Sequence, residues 1–421
     1  MKKITKLVKS VRFIELTKLF SVLLDQAFMS ISTLLTTIVL ARTYDKVVYA
    51  EFVLLISITL FVLGLQNSII SKPYAINLAD FKNEQRFRYF HFNVCAKLVF
   101  SVFVILSFPI IYFFLFGDFN FLRLIPYLVY IIGYTFYFYI REMLLSERKT
   151  IQNLVYGLCC SLSLILLLIF VFYSKDSDID FFLLFSSLIY FTVTIVYFIN
   201  NLRNIKLLKK EVKQYFLVNW KVGKWLLGTS FLFQMSSGIF PWLLLYLTTK
   251  SDVAIFGVLT SVSSIINPVL QALSSYLLPL FVKFNLDYKK IREMVNNWTL
   301  VFGFMSVCLV ILGYFFGQNL IDLFFGNKYY ELGFIVVMPF IAQAINVIFQ
   351  PFNISLKAIK RTDVEFWLYL PTAGLTLVIG YFSVLNFGLL GVFYTIFFQN
   401  LFFNMLQYLI YFRLFRTKSI L

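Results

Sequence analysis

Twelve stretches of about 20 mostly apolar residues, each long enough to cross the hydrocarbon core of a bilayer, follow one another with short interruptions. They begin near Phe20, Val47, Phe92, Phe121, Leu154, Phe181, Trp225, Ala254, Trp298, Leu332, Phe366 and Leu389. No other feature constrains the fold as strongly, because in lipid every backbone polar group must be satisfied inside the protein, and spans of this length do so as helices. Composition agrees: 60% of the 421 residues are hydrophobic and 14% are charged, against about 25% charged in soluble domains. The expectation is an all-α integral membrane protein of twelve transmembrane helices. The basic stretch MKKITKLVKSVRFIELTKLF before the first run carries no small-residue cleavage site, so that run reads as a retained span.

The formal net charge of +17 would suit nucleic acid, but its placement points to a membrane. Thirty of the 37 Lys and Arg lie in alternate flanks, from Lys2, Lys3 and Lys6 at the start to Arg413, Arg416 and Lys418 at the end. By the positive-inside rule those flanks are cytoplasmic, so both termini are cytoplasmic and the number of spans is even. A multi-pass protein of a cytoplasmic membrane follows, with membrane lipid as its surroundings and no nucleic-acid partner.

Polar residues inside the spans fall in stripes. Arg123, Tyr127, Tyr130, Tyr134, Tyr137 and Arg141 lie along one face of the fourth span, and Gln343, Asn346, Gln350, Asn353 and Lys357 along one face of the tenth. From Tyr127 and from Gln343 the spacing is the same, 3, 4, 3, 4, the period of a helix face. Further stripes are Thr260, Ser264, Asn267, Gln271 and Ser274 in the eighth span, and Asn400, Asn404, Gln407 and Tyr411 in the twelfth. A weaker echo links Gln26 and Asp45 with Gln234 and Asp252. Such side chains cost free energy in lipid and normally face the bundle interior or a watery path. The matched spacing reads as a duplication: a six-helix lobe at 1–199, a basic amphipathic linker at 200–224 on the cytoplasmic surface, and a second six-helix lobe at 225–421, with a solute site in a central cavity between the repeats.

No enzyme constellation is present. The chain lacks GxSxG, HExxH, Walker A and paired Cys-x-x-Cys patterns, and it has one histidine, His91. Cys95, Cys159, Cys160 and Cys308 all fall inside spans, so neither a metal, a cofactor nor a catalytic residue is expected. The loops of the outer face are short and could not house a polymerase or glycosyltransferase site. Asp25, in the first span, has three roles open to it: coupling to a proton or sodium ion, pairing with Lys97, or bonding to nearby backbone.

The segments LLDQAFMSISTLLTTIVLAR, YAEFVLL, YIREMLLSERKTIQNL and SDVAIFGVLTSVSSIINPVLQALSSYLLPLF resemble the Wzx-type polysaccharide repeat-unit flippases of the multidrug/oligosaccharidyl-lipid/polysaccharide exporter superfamily. The resemblance implies two lobes, alternating access, and movement of an undecaprenyl-diphosphate-linked oligosaccharide, such as an O-antigen repeat unit, from the cytoplasmic to the periplasmic leaflet of a bacterial inner membrane. Polysaccharide polymerase and assembly proteins are then candidate partners. A diphosphate must be met by cations in a low-dielectric cavity, which nominates Arg141, Lys357, Lys97 and Arg123. The glycan wants aromatic faces and amides, which nominates Tyr130, Tyr134, Tyr137, Gln343, Asn346, Gln350, Asn353, Asn267, Gln271, Asn400 and Asn404. The rival from the same superfamily is an ion-coupled multidrug exporter, which would want buried acids, and the spans hold almost none besides Asp25.

Overall fold

A computed structural model describes residues 2–116, 121–174, 178–201, 209–282, 287–329, 332–359 and 363–418. Among them the regular structure is helical: α1 (Lys2–Thr43), α2 (Lys46–Gln66), α3 (Lys72–Asn77), α4 (Asn83–Phe116), α5 (Phe121–Ser146), α6 (Thr150–Ser174), α7 (Ile179–Asn201), α8 (Lys209–Phe233), α9 (Phe240–Leu247), α10 (Lys250–Ser263), α11 (Asn267–Val282), α12 (Tyr288–Phe325), α13 (Met338–Ala358) and α14 (Asp363–Lys418). Ten of the resulting rods are long and apolar enough to cross a membrane, and α8 with α9 form an eleventh, bent by 46°. The rod Asp363–Phe415 breaks at Gly388, whose φ of 55° and ψ of −131° lie where a side chain is strained and glycine is not. Counting its two halves separately restores twelve spans.

Helices cluster into two compact units, residues 1–39 with 58–230, and residues 40–57 with 231–421. α8 differs from the sequence expectation. Residues 202–208 of the basic linker lie outside the described residues, but from Lys209 the chain is one helix through Phe233, without a break at Lys224. Its stripe of Tyr215, Asn219 and Gly223 is buried in protein. Tyr89 donates to Asn219 Oδ1 at 2.5 Å, Asn219 Nδ2 donates to Asn93 Oδ1 at 2.8 Å, and Arg88 pairs with Glu211 at 2.6 Å. Gly223 allows the close approach, since a Cβ there would lie 2.9 Å from the Ser68 carbonyl oxygen. The period that suggests a surface helix is the period of a packed face, and α4 supplies the partners.

In the second unit, small residues draw α12 onto α13: a Cβ on Gly313 would come within 2.6 Å of the Phe340 ring, and Ser306 donates to the Ala344 carbonyl at 2.9 Å. Lys328 closes the end of α1, donating to the carbonyls of Arg42 and Tyr44 at 2.7 and 2.9 Å, a favourable place for a cation at a helix C-terminus. Burial holds its pKa below the usual lysine value. Asp45 and Asp252, paired in the weaker sequence echo, both serve helix starts. Asp45 Oδ1 accepts from the Val48 amide at 2.8 Å, and the Asp252 amide donates to Thr249 Oγ1 at 3.2 Å.

Candidate functional site

The first unit buries an ion pair. Asp25 on α1 and Arg141 on α5 form a salt bridge with side chains 2% and 6% exposed, so the pairing of Asp25 with Lys97 is not the one the structure makes. Asn153 on α6, fully buried, donates to the same carboxylate oxygen, Oδ2, at 2.7 Å. The other oxygen, Oδ1, has no hydrogen-bond partner among the described residues. It fills a space left by Gly157, where a Cβ would lie 2.0 Å from it. The guanidinium also contacts Met29 Sδ and faces the rings of Tyr137 and Phe138 at 5.8 and 5.5 Å. Removing two charges from water is costly, and their attraction offsets that cost when geometry and further hydrogen bonds are good. Asn153 supplies one such bond.

Local sequence explains the convergence. Asp25, Met29 and Ser32 lie on one face of α1, and Asn153, Gly157 and Ser161 recur every fourth residue on α6; Ser32 and Ser161 meet at 3.5 Å. The α6 stripe is a legible signal in an otherwise apolar span, and it passes unassigned when α1 and α5 are read without a partner.

The tyrosines of α5 turn inward. Tyr130, Tyr134 and Tyr137 surround Tyr190 of α7 at ring distances of 6.1, 5.6 and 5.4 Å, and Tyr137 stacks on Tyr156 of α6 at 5.2 Å. Tyr156 in turn meets Thr194 at 3.0 Å. Tyr130 and Tyr137 are buried by this cluster, and Tyr134 is half-buried. A continuous aromatic wall open to a glycan is therefore not what these rings form in this conformation. The reason is Tyr156 of α6 with Tyr190 and Thr194 of α7, which cover the rings from neighbouring helices.

The remaining nominated cations are dispersed. Lys97 is 1% exposed, donates to Thr135 Oγ1 at 2.9 Å and sits 4.4 Å from the Phe136 ring centre. Lys357 is exposed at the end of α13 and pairs with Glu365 at 3.0 Å. Arg123 is exposed in the first turn of α5. Within the first unit the structure thus brings Arg141 to Asp25, leaves Lys97 on Thr135 and Arg123 exposed, and Lys357 belongs to the second unit.

In the second unit the amide stripes meet each other. Gln343 donates to Asn267 Oδ1 at 2.7 Å and Gln350 to Ser274 Oγ at 3.0 Å, one stretch of seven residues later on both helices. On its other side α13 is joined to the second half of α14: Asn404 donates to Asn346 Oδ1 at 2.9 Å and Asn400 to the Ala342 carbonyl at 3.0 Å. Gln343, Asn346, Gln350, Asn353, Asn267 and Asn400 are half-buried, Asn404 is buried, and Gln271 is exposed. Interhelical hydrogen bonds of this kind are worth about 0.6 kcal/mol each within a bilayer, so the zipper aligns three helices while its half-buried amides keep surface for a ligand. The two stripes with matching spacing also pack alike. Each reaches the second span after its own, Tyr130, Tyr134 and Tyr137 of α5 meeting Tyr190 of α7, and Asn346 of α13 meeting Asn404 in the last half of α14.

No family model matches the sequence, and no curated protein matches it. Solved structures do. A mutant of the Vibrio cholerae MATE transporter VcmN matches with a TM-score of 0.65 at 13% identity, covering 96% of each chain. The lipid II flippase MurJ in an inward closed conformation matches at 0.66 and 17%, over 94% of this chain and 86% of that one. A MOP superfamily transporter from Pyrococcus furiosus, described as having a binding pocket of reverse polarity, matches at 0.63 and 11%, over 95% and 94%. Such identities speak to the fold alone. The chain shares the all-helical fold of these MATE, MurJ and MOP superfamily structures.

Proposed function

We propose that the protein is a flippase for an undecaprenyl-diphosphate-linked oligosaccharide, carrying it from the cytoplasmic to the periplasmic leaflet of a bacterial inner membrane by alternating access. The observation that carries this reading is the sign of the buried charge. Besides His91, the buried acidic and basic side chains of the described residues are Asp25, Lys97 and Arg141, two bases to one acid. A site for organic cations needs the opposite balance, whereas a lipid diphosphate brings negative charge that a surplus cation offsets. In this reading Arg141 exchanges Asp25 for phosphate as cargo enters, and the half-buried amides of α11, α13 and α14 bind sugar hydroxyls. Coupling to a proton or sodium ion would act through Asp25 Oδ1, the oxygen that Arg141 and Asn153 leave free. Polymerase and assembly proteins would act on the delivered unit.

The test is genetic and biochemical together. Deletion in a host that makes the matching polymer should abolish surface polysaccharide and leave lipid-linked units on the cytoplasmic side, with complementation restoring export. A deletion strain that keeps its polymer and becomes sensitive to cationic dyes would overturn the reading in favour of a multidrug exporter.

A further inference from the structure

Within the second unit, α12, α13 and the last half of α14 line an open cleft of about 550 Å³, in the range of about 300–1,000 Å³ that suits small-molecule ligands. One side is aromatic. Phe352 of α13 stands 5.2 Å from Tyr408 and 4.9 Å from Tyr411 of α14, and Phe349 completes the wall. The other side is α12, with Arg292 and Asn296 one turn apart.

Two features are unexplained by packing. Tyr411 is 4% exposed, yet its hydroxyl has no hydrogen-bond partner among the described residues, and buried tyrosine hydroxyls usually find one. Arg292 is exposed and has no carboxylate partner among the described residues; the carboxylate at the start of its helix, Asp287, is taken by Lys290 at 3.1 Å. An aromatic belt of interfacial anchors would need neither a cleft between helices nor a buried hydroxyl without a partner.

We propose that this cleft holds the first isoprene units of a polyisoprenyl phosphate, with the phosphate on Arg292. The inference rests on the flippase reading and adds to it a place for the lipid part of the cargo. Charge selects the head. Lys289, Lys290 and Arg292 in the first two turns of α12 are three cations against two nearby acids, Asp287 and Glu293, the first of which pairs with Lys290, and a guanidinium fork matches phosphate oxygens. An organic cation would be repelled there, and a free sugar would find too few hydrogen-bonding groups among the rings. Chemistry also selects the tail, since double bonds and methyl branches lie flat on aromatic faces. Tyr411 then donates to a phosphate oxygen at the inner end of the pocket, and Asn296 to a second.

Position supports the same occupant. Arg292 lies about one turn from the start of α12, while Phe352 and Tyr411 lie near the ends of α13 and α14, at helix ends bearing Lys357 and Arg413. By the positive-inside rule these are cytoplasmic ends, the leaflet in which the cargo is made under the flippase reading.

The test uses the full-length protein in nanodiscs of phosphatidylcholine and a geranylgeranyl phosphate carrying a photoreactive diazirine, with adducts mapped by mass spectrometry. Labelling is expected on peptides holding Phe349 to Phe352 and Tyr408 to Phe412. It should be competed by undecaprenyl phosphate and not by inorganic phosphate or phosphatidylglycerol at the same concentration. Arg292→Gln should reduce labelling by about tenfold, the loss expected for one charge-assisted hydrogen-bonded contact, and Arg292→Lys should recover most of it. Tyr411→Phe, which keeps the ring and so the packing, should reduce it several-fold. Labelling elsewhere, labelling indifferent to Arg292→Gln, or equal competition by phosphatidylglycerol would overturn the proposal. The two readings fail separately. Pocket labelling in a protein whose deletion leaves surface polymer intact would sink the flippase and keep the lipid site; lost export with labelling indifferent to Arg292 would do the reverse.

Discussion

Replacing Asp25 by Asn removes the charge that compensates Arg141 and leaves the guanidinium among Met29 and two aromatic rings, in a place where water cannot take over. Because the two side chains are 2% and 6% exposed, the discount that applies to surface pairs does not apply here. Breaking a buried pair by removing one partner costs about 3–5 kcal/mol. Arg141→Gln should cost a similar amount, since it strands the carboxylate with Asn153 as its one remaining donor. The double variant removes both charges and should recover part of the loss, giving a coupling of at least about 2 kcal/mol, well beyond the additivity error of about 0.5 kcal/mol for independent sites. The assay is equilibrium unfolding of purified protein in mixed detergent and SDS micelles, followed by tryptophan fluorescence and far-UV circular dichroism. Additive losses within that error would refute the claim that Asp25 and Arg141 form a coupled pair.

Three further outcomes are expected. Gly157→Ala would put a methyl 2.0 Å from Asp25 Oδ1; it should destabilise by about 1–3 kcal/mol, as overpacking does, and the loss should shrink in an Asp25→Ala background, read by thermal unfolding in detergent. Gly388→Ala forces a side chain into the conformation with φ of 55° and should lower stability by about 1–3 kcal/mol, whereas Gly374→Ala, whose added Cβ meets nothing within 4 Å, should not destabilise. In cysteine accessibility mapping, a single cysteine at Asp178 should react with an impermeant reagent from outside and one at Lys209 or Lys289 from inside; an outward Lys209 would reverse the assigned orientation.

Much of the architecture is legible in the chain because the bilayer imposes a length and a polarity on each span. Twelve apolar runs reappear as helices whose breaks follow Gly388 and the bend between Gly238 and Phe240, and the 3, 4, 3, 4 spacing correctly marks helix faces that meet protein. What a stripe meets is a different matter. Tyr130 and Tyr137 meet Tyr190 and Tyr156, the amides of α13 meet those of α11 and α14, and Tyr215 with Asn219 meets α4 instead of a membrane surface. Periodicity specifies a direction around one helix and carries no information about the neighbour in that direction. The pairing of Asp25 with Arg141, 116 residues apart, therefore belongs to the tertiary structure, as do the cradle at Gly157 and the aromatic cleft beside Arg292: each is made by helices distant in sequence, and only their packing brings charge, space and partner to one point.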